Sequence, residues 1–231
     1  MKIVKKIIKK ILVENPPAFQ PFKLTSFSQE GEDLILARIY NGKKNGFYVD
    51  IGAHHPFRFS NTFLFYQRGW KGINVDANPG SKILFDQYRP NDVNLEIGIS
   101  SNESVLNYYN FKEGALNTFS AELANQYLKG GWELKETIKI KTYPLKQILT
   151  ENMPQNQSID FMNMDIEGFE LAALTSNDWV KFRPKFLLVE ILDFELETFV
   201  QNEIYKFLKS QGYKLSAKTK NTVFFEENKS L

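Results

Sequence analysis

From residue 47 onward, short apolar runs alternate with segments whose apolar residues recur at helical spacing. Strands are predicted at 47–51 (FYVDI), 72–76 (GINVD), 93–99 (VNLEIGI), 159–165 (IDFMNMD) and 186–192 (FLLVEIL). Helices fit 30–40, 61–68, 80–88, 168–176 and 195–210. Largely apolar strands that alternate with helices predict a doubly wound α/β fold, its parallel sheet covered on both faces. Two more strands, 213–217 and 222–226, are separated only by 218–221, a connection short enough to make them an antiparallel hairpin. Segment 104–144 breaks the rhythm. It holds two alternating stretches, VLNYYNF and TIKIKTY, around an aromatic, glycine-containing middle, and reads as an insertion flanking a ligand cleft. Its aromatics Tyr108, Tyr109, Phe111, Phe119, Tyr127 and Trp132 are either core or the wall of an acceptor groove.

The amino terminus follows another pattern. In KIVKKIIKKIL (2–12) the aliphatic residues recur at three-to-four spacing, and five lysines take the opposite face. This predicts a basic amphipathic helix, ended by Asn15-Pro16-Pro17 and followed by a linker, so that 1–22 stands apart from a domain over 23–231. Two readings stay open: a helix packed on protein, or one lying on an anionic membrane surface.

Composition narrows the class. The chain has 231 residues, 42% hydrophobic and 24% charged, enough for one α/β domain rather than a disordered segment. A net charge of +2 offers no global basic field for nucleic acid. With no cysteine there is no disulfide, thiolate metal site or cysteine nucleophile. No stretch approaches the ~20 apolar residues of a membrane span, and no secretory leader is evident. The expected location is the cytoplasm, with the inner face of the membrane as the peripheral alternative.

The first chemical signal is Asp50-Ile51-Gly52-Ala53, where a buried strand ends and must turn. Ligands of open α/β sheets bind at such carboxyl ends, and glycine permits close backbone approach. Asp76 ends the next strand, placed to accept hydrogen bonds from a ribose diol, although an acid there can also merely cap a helix. The loop reads G-A-H-H-P and lacks the glycines that cradle a pyrophosphate, which disfavours a dinucleotide. A nucleoside without phosphates, such as S-adenosylmethionine, needs no such cradle.

Five blocks in order, Ser28-Gln29-Glu30-Gly31-Glu32-Asp33, Tyr48 through Pro56, Ser60-Asn61-Thr62, Gly69 through Asp76, and Ile159 through Gly168, resemble the FkbM family of methyltransferases. The resemblance spans roughly 26–227 and implies a class I methyltransferase fold of strand order 3-2-1-4-5-7-6 with the last strand antiparallel. It further implies S-adenosylmethionine as donor and O-methylation of saccharides, nucleotide-linked sugars, glycan precursors or polyketide-like molecules. Carried onto this chain, Asp50, Gly52 and Ala53 match the first donor motif, and Asp76 with Ala77 the ribose end. Gln29 and Asp33 fall near the methionine end, and Gly98, Ile99 and Ser100 near the adenine by position alone.

Methyl transfer to a hydroxyl needs alignment and a proton acceptor. The only two histidines, His54 and His55, stand together after the first strand, and one of them is expected to serve as base, with His55 favoured. Asp165, Glu167 and Glu190 form a second constellation that could serve as base: Asp165 is both a donor-end and a catalytic candidate, and Glu190 ends the neighbouring strand. Asp165 and Glu190 could also hold Mg²⁺ as hard oxygen ligands, second to a metal-free site in which Glu167 orders its turn and Glu190 caps a helix or binds the donor amine. A donor-binding scaffold without catalysis, docked through 2–12, is the rival from another class.

Overall fold

A computed structural model describes residues 24–192 and 194–228. The expected basic helix at 2–12, and with it the 1–22 unit, lies outside the described residues. In chain order the elements are α1 (Glu32–Ile39), β1 (Phe47–Ile51), α2 (Phe63–Gln67), β2 (Lys71–Asp76), α3 (Ser81–Tyr88), β3 (Val93–Glu96), β4 (Gly98–Ile99) and β5 (Ser104–Phe111). There follow α4 (Ala121–Lys129), β6 (Leu134–Tyr143), α5 (Leu145–Asn152), β7 (Phe161–Met164), α6 (Glu170–Thr175), β8 (Phe186–Glu190), α7 (Glu203–Ser210), β9 (Tyr213–Lys218) and β10 (Thr222–Glu227).

The main sheet runs β3-β2-β1-β7-β8-β10-β9, parallel except for β10, which is antiparallel to both neighbours. This is the order and the antiparallel last strand expected of a class I methyltransferase. The chain winds outward from β1 to β3 and then returns to β7 on the other side of β1. Such a reversal opens a crevice at the carboxyl ends of the strands, because the connections leave the two central strands in opposite directions.

Strand periodicity divides the core in two. Phe47, Val49 and Ile51 enter one apolar cluster with Ile73, Val75, Met162, Met164, Leu187 and Val189. Tyr48 lies in the other, with Phe65, Trp70, Phe161, Leu188 and Phe224. At one level the second face turns polar: Asn94, Asn74, Asp50 and Asn163 are register partners across four strands. That row marks where packing gives way to chemistry.

Two expectations need correction. The 93–99 run is two strands: Ile97 still bonds to the Asp76 carbonyl of the main sheet, whereas Ser100 bonds to Tyr143 in a second sheet of order β4-β6-β5. Gly98 sits at the crossing, where a Cβ would lie 2.6 Å from the Phe119 ring and 2.7 Å from the Thr142 methyl. The 195–210 helix starts only at Glu203, capped by Asn202, whose Oδ1 accepts from the Tyr205 amide at 3.1 Å, after a 3₁₀ turn at Phe199–Gln201. Segment 104–144 pairs its two alternating stretches as β5 and β6. It also contains α4, capped by Ser120, whose Oγ accepts from the Leu123 amide at 3.2 Å. Among the described residues no helix is long and apolar enough to cross a membrane.

Candidate active site

A cavity of about 240 Å³ opens at the carboxyl ends of β1, β2, β7 and β8. Strand ends supply Asp50, Gly52, Ala53, His54, Asp76, Ala77, Asp165, Glu167, Glu190 and Leu192, and the insertion adds Tyr108, Asn117, Phe119 and Tyr127. The β1 and β7 ends are in direct contact. A Cβ on Gly52 (φ 79°) would lie 1.6 Å from the Asp165 carbonyl oxygen, so only glycine lets the two strands abut there.

The floor is a buried polar network. Asp50 accepts from the Thr62 hydroxyl at 2.6 Å and the Asn163 amide at 2.9 Å, and Asn61 in turn donates to Asn163 at 2.9 Å. Thr62 also receives Arg89 Nη1 at 2.9 Å. The Arg89 side chain is fully buried and pairs through Nε with Asp92 at 2.9 Å, while Nη2 donates to the Tyr48 hydroxyl. Burial pushes the Asp50 carboxyl up from its ordinary value even though Thr62, Arg89 and Asn163 favour the charged form. Arg89 therefore acts as an internal counter-ion beneath the site.

Asp76 is held by one backbone donor on each oxygen: the His54 amide on Oδ2 and the Asn78 amide on Oδ1, both at 2.7 Å. Each oxygen keeps a second acceptor position, as a cis-diol requires. Burial, with Asp50 and Glu96 adding repulsion, raises the carboxyl to about 6, against the two amides. Ala77 lies beside it in the cavity wall, and Asn117 donates to Asn78 at 3.3 Å, tying the insertion to this end. These residues fit a ribose, and the oxygen chemistry and flanking apolar surfaces suit the nucleoside of S-adenosylmethionine.

The two histidines part company. His54 lies in the cavity wall with its backbone in the left-handed region (φ 55°), and burial followed by the nearby Arg58 charge lowers it to about 4. His55 does not line the cavity. Its Nδ1 accepts from the Phe57 and Arg58 amides at 3.3 and 3.1 Å, so it shapes the loop instead of facing a substrate. The preference for His55 as base is corrected on that geometry. Arg58 closes the rim in a two-pronged pair with Glu113 at 3.1 and 3.2 Å.

Two donor expectations also shift. Gln29 lines the cavity, but Asp33 is buried behind it and uses both oxygens on the Ser26 hydroxyl (2.6 Å) and the Phe27 amide (2.8 Å). Asp33 thus braces the loop that presents Gln29. Ser100 is buried against Thr142 Oγ1 (2.8 Å) and the Asn102 carbonyl (2.7 Å), outside the cavity, because the chain has already crossed into the second sheet.

At the other end Asp165, Glu167 and Glu190 bring one carboxylate oxygen each within 4.8 Å of one another. Met164 and Val189 are register partners, which sets the next residues, Asp165 and Glu190, side by side. Glu167 reaches them because its backbone is left-handed (φ 50°); the Thr118 hydroxyl holds its carbonyl at 2.7 Å and the Tyr127 hydroxyl donates to its carboxylate. Burial, with repulsion from neighbouring acids added, pushes all three carboxyls up, Glu167 to about 8 and Glu190 to about 7. The D-x-E-G spacing groups Glu167 with Asp165 in the sequence, but the turn that aims it is not legible there. Glu170, next in the chain, instead binds the Ile166 and Gly168 amides and fixes this turn.

No curated protein sequence matches the chain significantly. Among solved structures, a TehB-like SAM-dependent methyltransferase from Corynebacterium glutamicum has 8% identity, covers 99% of this chain and 100% of its own, and gives a TM-score of 0.44. A precorrin-6y C5,15-methyltransferase from Geobacter metallireducens has 10% identity, covers 91% and 93%, and gives 0.43. Residues 50–215, well over half of the sequence, match the methyltransferase FkbM domain. The chain therefore belongs to the FkbM family and is an S-adenosylmethionine-dependent methyltransferase.

Proposed function

We propose that this enzyme methylates a hydroxyl of a saccharide, with an uncharged sugar presented to the cavity. The observation that carries this reading is the carboxylate trio Asp165, Glu167 and Glu190, set beside Tyr127 at the end away from Asp76. Neutral hydroxyls are well matched by carboxylate acceptors, and aromatic faces from Phe59, Phe119 and Tyr127 suit sugar rings. No lysine or arginine lines the cavity among the described residues. A nucleotide-linked sugar would thus have to keep its diphosphate at the rim, near Arg58, with only the sugar inside.

S-adenosylmethionine supplies a methyl already activated on a sulfonium, with a neutral sulfide as leaving group. The protein's own work is alignment and proton removal. Asp76, with Gln29, Gly52, Ala53 and Ala77, holds the donor, and Asp50 and Asn163 keep the β1 and β7 ends rigid beneath it. Asp165 and Glu190, side by side at the strand ends, together receive the hydroxyl proton as the new carbon–oxygen bond forms. His54 shapes the wall between donor and acceptor. Donor binding and this geometry make catalysis a better reading than a silent scaffold.

A methyl-transfer screen tests the assignment, with neutral oligosaccharides, nucleotide-sugars and polyketide-like alcohols as acceptors and NMR to locate the new methyl. An O-methylated sugar is the expected product. Methylation of nitrogen or carbon, or of the polyketide-like alcohols alone, refutes the saccharide assignment.

A further inference from the structure

The carboxylate trio has a feature that proton sharing does not account for. Asn61, 8% exposed, lines a small hollow together with Asp165 and Glu190. Its Nδ2 is committed to Asn163, which leaves the oxygen as the free end of the amide. That Oδ1 is buried and meets no hydrogen-bond donor among the described residues. A buried amide oxygen left without a donor is costly, and native structures rarely tolerate one unless water or an ion completes it.

We infer that Asp165, Glu167, Glu190 and Asn61 form a binding site for a divalent cation of the Mg²⁺ type, at the acceptor end of the cavity. Every available ligand is oxygen, and hard cations select oxygen ligands. The three carboxylate oxygens lie within 4.8 Å of one another, a spread that small side-chain adjustments convert into neighbouring positions around one ion. Glu30 and Glu32 line the same hollow, so its field is strongly negative before any ion arrives. Among the described residues no lysine or arginine lines the hollow, and the cation that acts on Glu30, Lys218, stands outside that lining. Mg²⁺ takes octahedral coordination, so three carboxylates and one amide oxygen would leave two positions for water or substrate oxygens.

This site rests on the saccharide reading for its purpose. A cation on the trio would take two vicinal sugar oxygens and lower the acidity barrier of the one that is methylated. Each carboxylate can give the cation one oxygen and keep the other, so cation binding and proton acceptance by the Asp165–Glu190 pair are compatible.

The test is titration of the full chain with Mn²⁺ alone, followed by calorimetry and by electron paramagnetic resonance, with Mg²⁺ as competitor. One Mn²⁺ per chain is expected, displaced by Mg²⁺, with affinity reduced at least tenfold in E190Q and in D165N. E167Q serves if either variant fails to fold, and E113Q, at the rim, should bind Mn²⁺ as the parent does. Absence of Mn²⁺ binding at millimolar concentration, in protein that still binds S-adenosylmethionine, overturns the cation site and leaves the saccharide reading standing. Equal binding by E190Q, D165N and E167Q overturns it too. Mn²⁺ bound as expected without methyl transfer to any sugar supports the site and removes the saccharide reading.

Discussion

Replacing Asp76 by asparagine should separate donor affinity from stability, moving them in opposite directions. The carboxylate sits at the end of β2 with one backbone amide on each oxygen and one acceptor position free on each. A ribose diol would use both free positions, and hydrogen bonds to a charged group contribute ~1.5–3 kcal/mol apiece. Asparagine keeps the shape but loses the charge and turns one acceptor into a donor, which then faces the His54 or Asn78 amide. Loss of one such bond weakens S-adenosylmethionine by at least ~10-fold, and loss of both by ~100-fold or more. Stability goes the other way. Burial raises Asp76 from 3.8 to about 6, so the folded state holds this proton more tightly than the unfolded chain. For an acid shifted upward, stability falls as pH rises through the interval between the two values and stays reduced above it. A shift of about two units corresponds to ~3 kcal/mol, an upper bound because the variant must tolerate a mispaired amide. Urea unfolding at several pH values should show D76N losing less stability than the parent between pH ~4 and ~6. Donor affinity of the parent should drop as pH falls below about 6, since the protonated acid is a poor diol acceptor. Unchanged donor affinity in folded D76N, by calorimetry, would falsify the ribose assignment.

Three further outcomes are expected. H55A should keep near-parental turnover because its ring only caps the Phe57 and Arg58 amides, whereas E190Q should lower turnover by ~10²–10⁴-fold with donor affinity little changed; the reverse ranking in steady-state assays returns the base to the histidine. Arg89→Leu leaves Asp92 without its buried cation and should cost ~3–5 kcal/mol in urea unfolding, and a loss below ~1 kcal/mol would show that the Arg89 network does not hold the fold together. Deleting residues 1–15 should abolish salt-sensitive binding to anionic vesicles and spare methyl transfer to soluble acceptors, since nearby lysines contribute ~1 kcal/mol each at such surfaces; equal binding by both forms removes the membrane reading.

The legible parts of this chain were those where one local pattern has one outcome. β1, β2, β7 and β8 are apolar runs buried on both faces, and their hydrophobicity announced them. The 93–99 run (VNLEIGI) keeps apolar residues at every second position without a break, yet its chain changes sheets after Ile97, a choice made by hydrogen-bond partners in β2 and β6 rather than by side-chain character. α4 lies between two alternating stretches that suggest strands, and α5 directly follows the second, so neither helix stands out in the pattern. α4 does carry its own start signal, Ser120.

At the site, each strand-ending acid could be read from sequence, but its task depends on what stands beside it. Asp33 and Gln29 belong to one block, four residues apart, and only the Ser26 and Phe27 donors decide that Asp33 turns inward and Gln29 toward the cavity. His54 and His55 are adjacent and chemically alike. A left-handed turn at His54 gives the first to the cavity and the second to the loop. The same logic governs the acids. Asp165 and Glu190 are 25 residues apart in sequence, and the β7–β8 register places them side by side, as their strand-end positions had suggested. Glu167 joins them only through another left-handed residue, locked by Thr118 and Tyr127 from the insertion. The insertion therefore does more than wall the cleft. By fixing the Glu167 turn it brings a third carboxylate to the strand ends where the parallel sheet has already positioned Asp165 and Glu190.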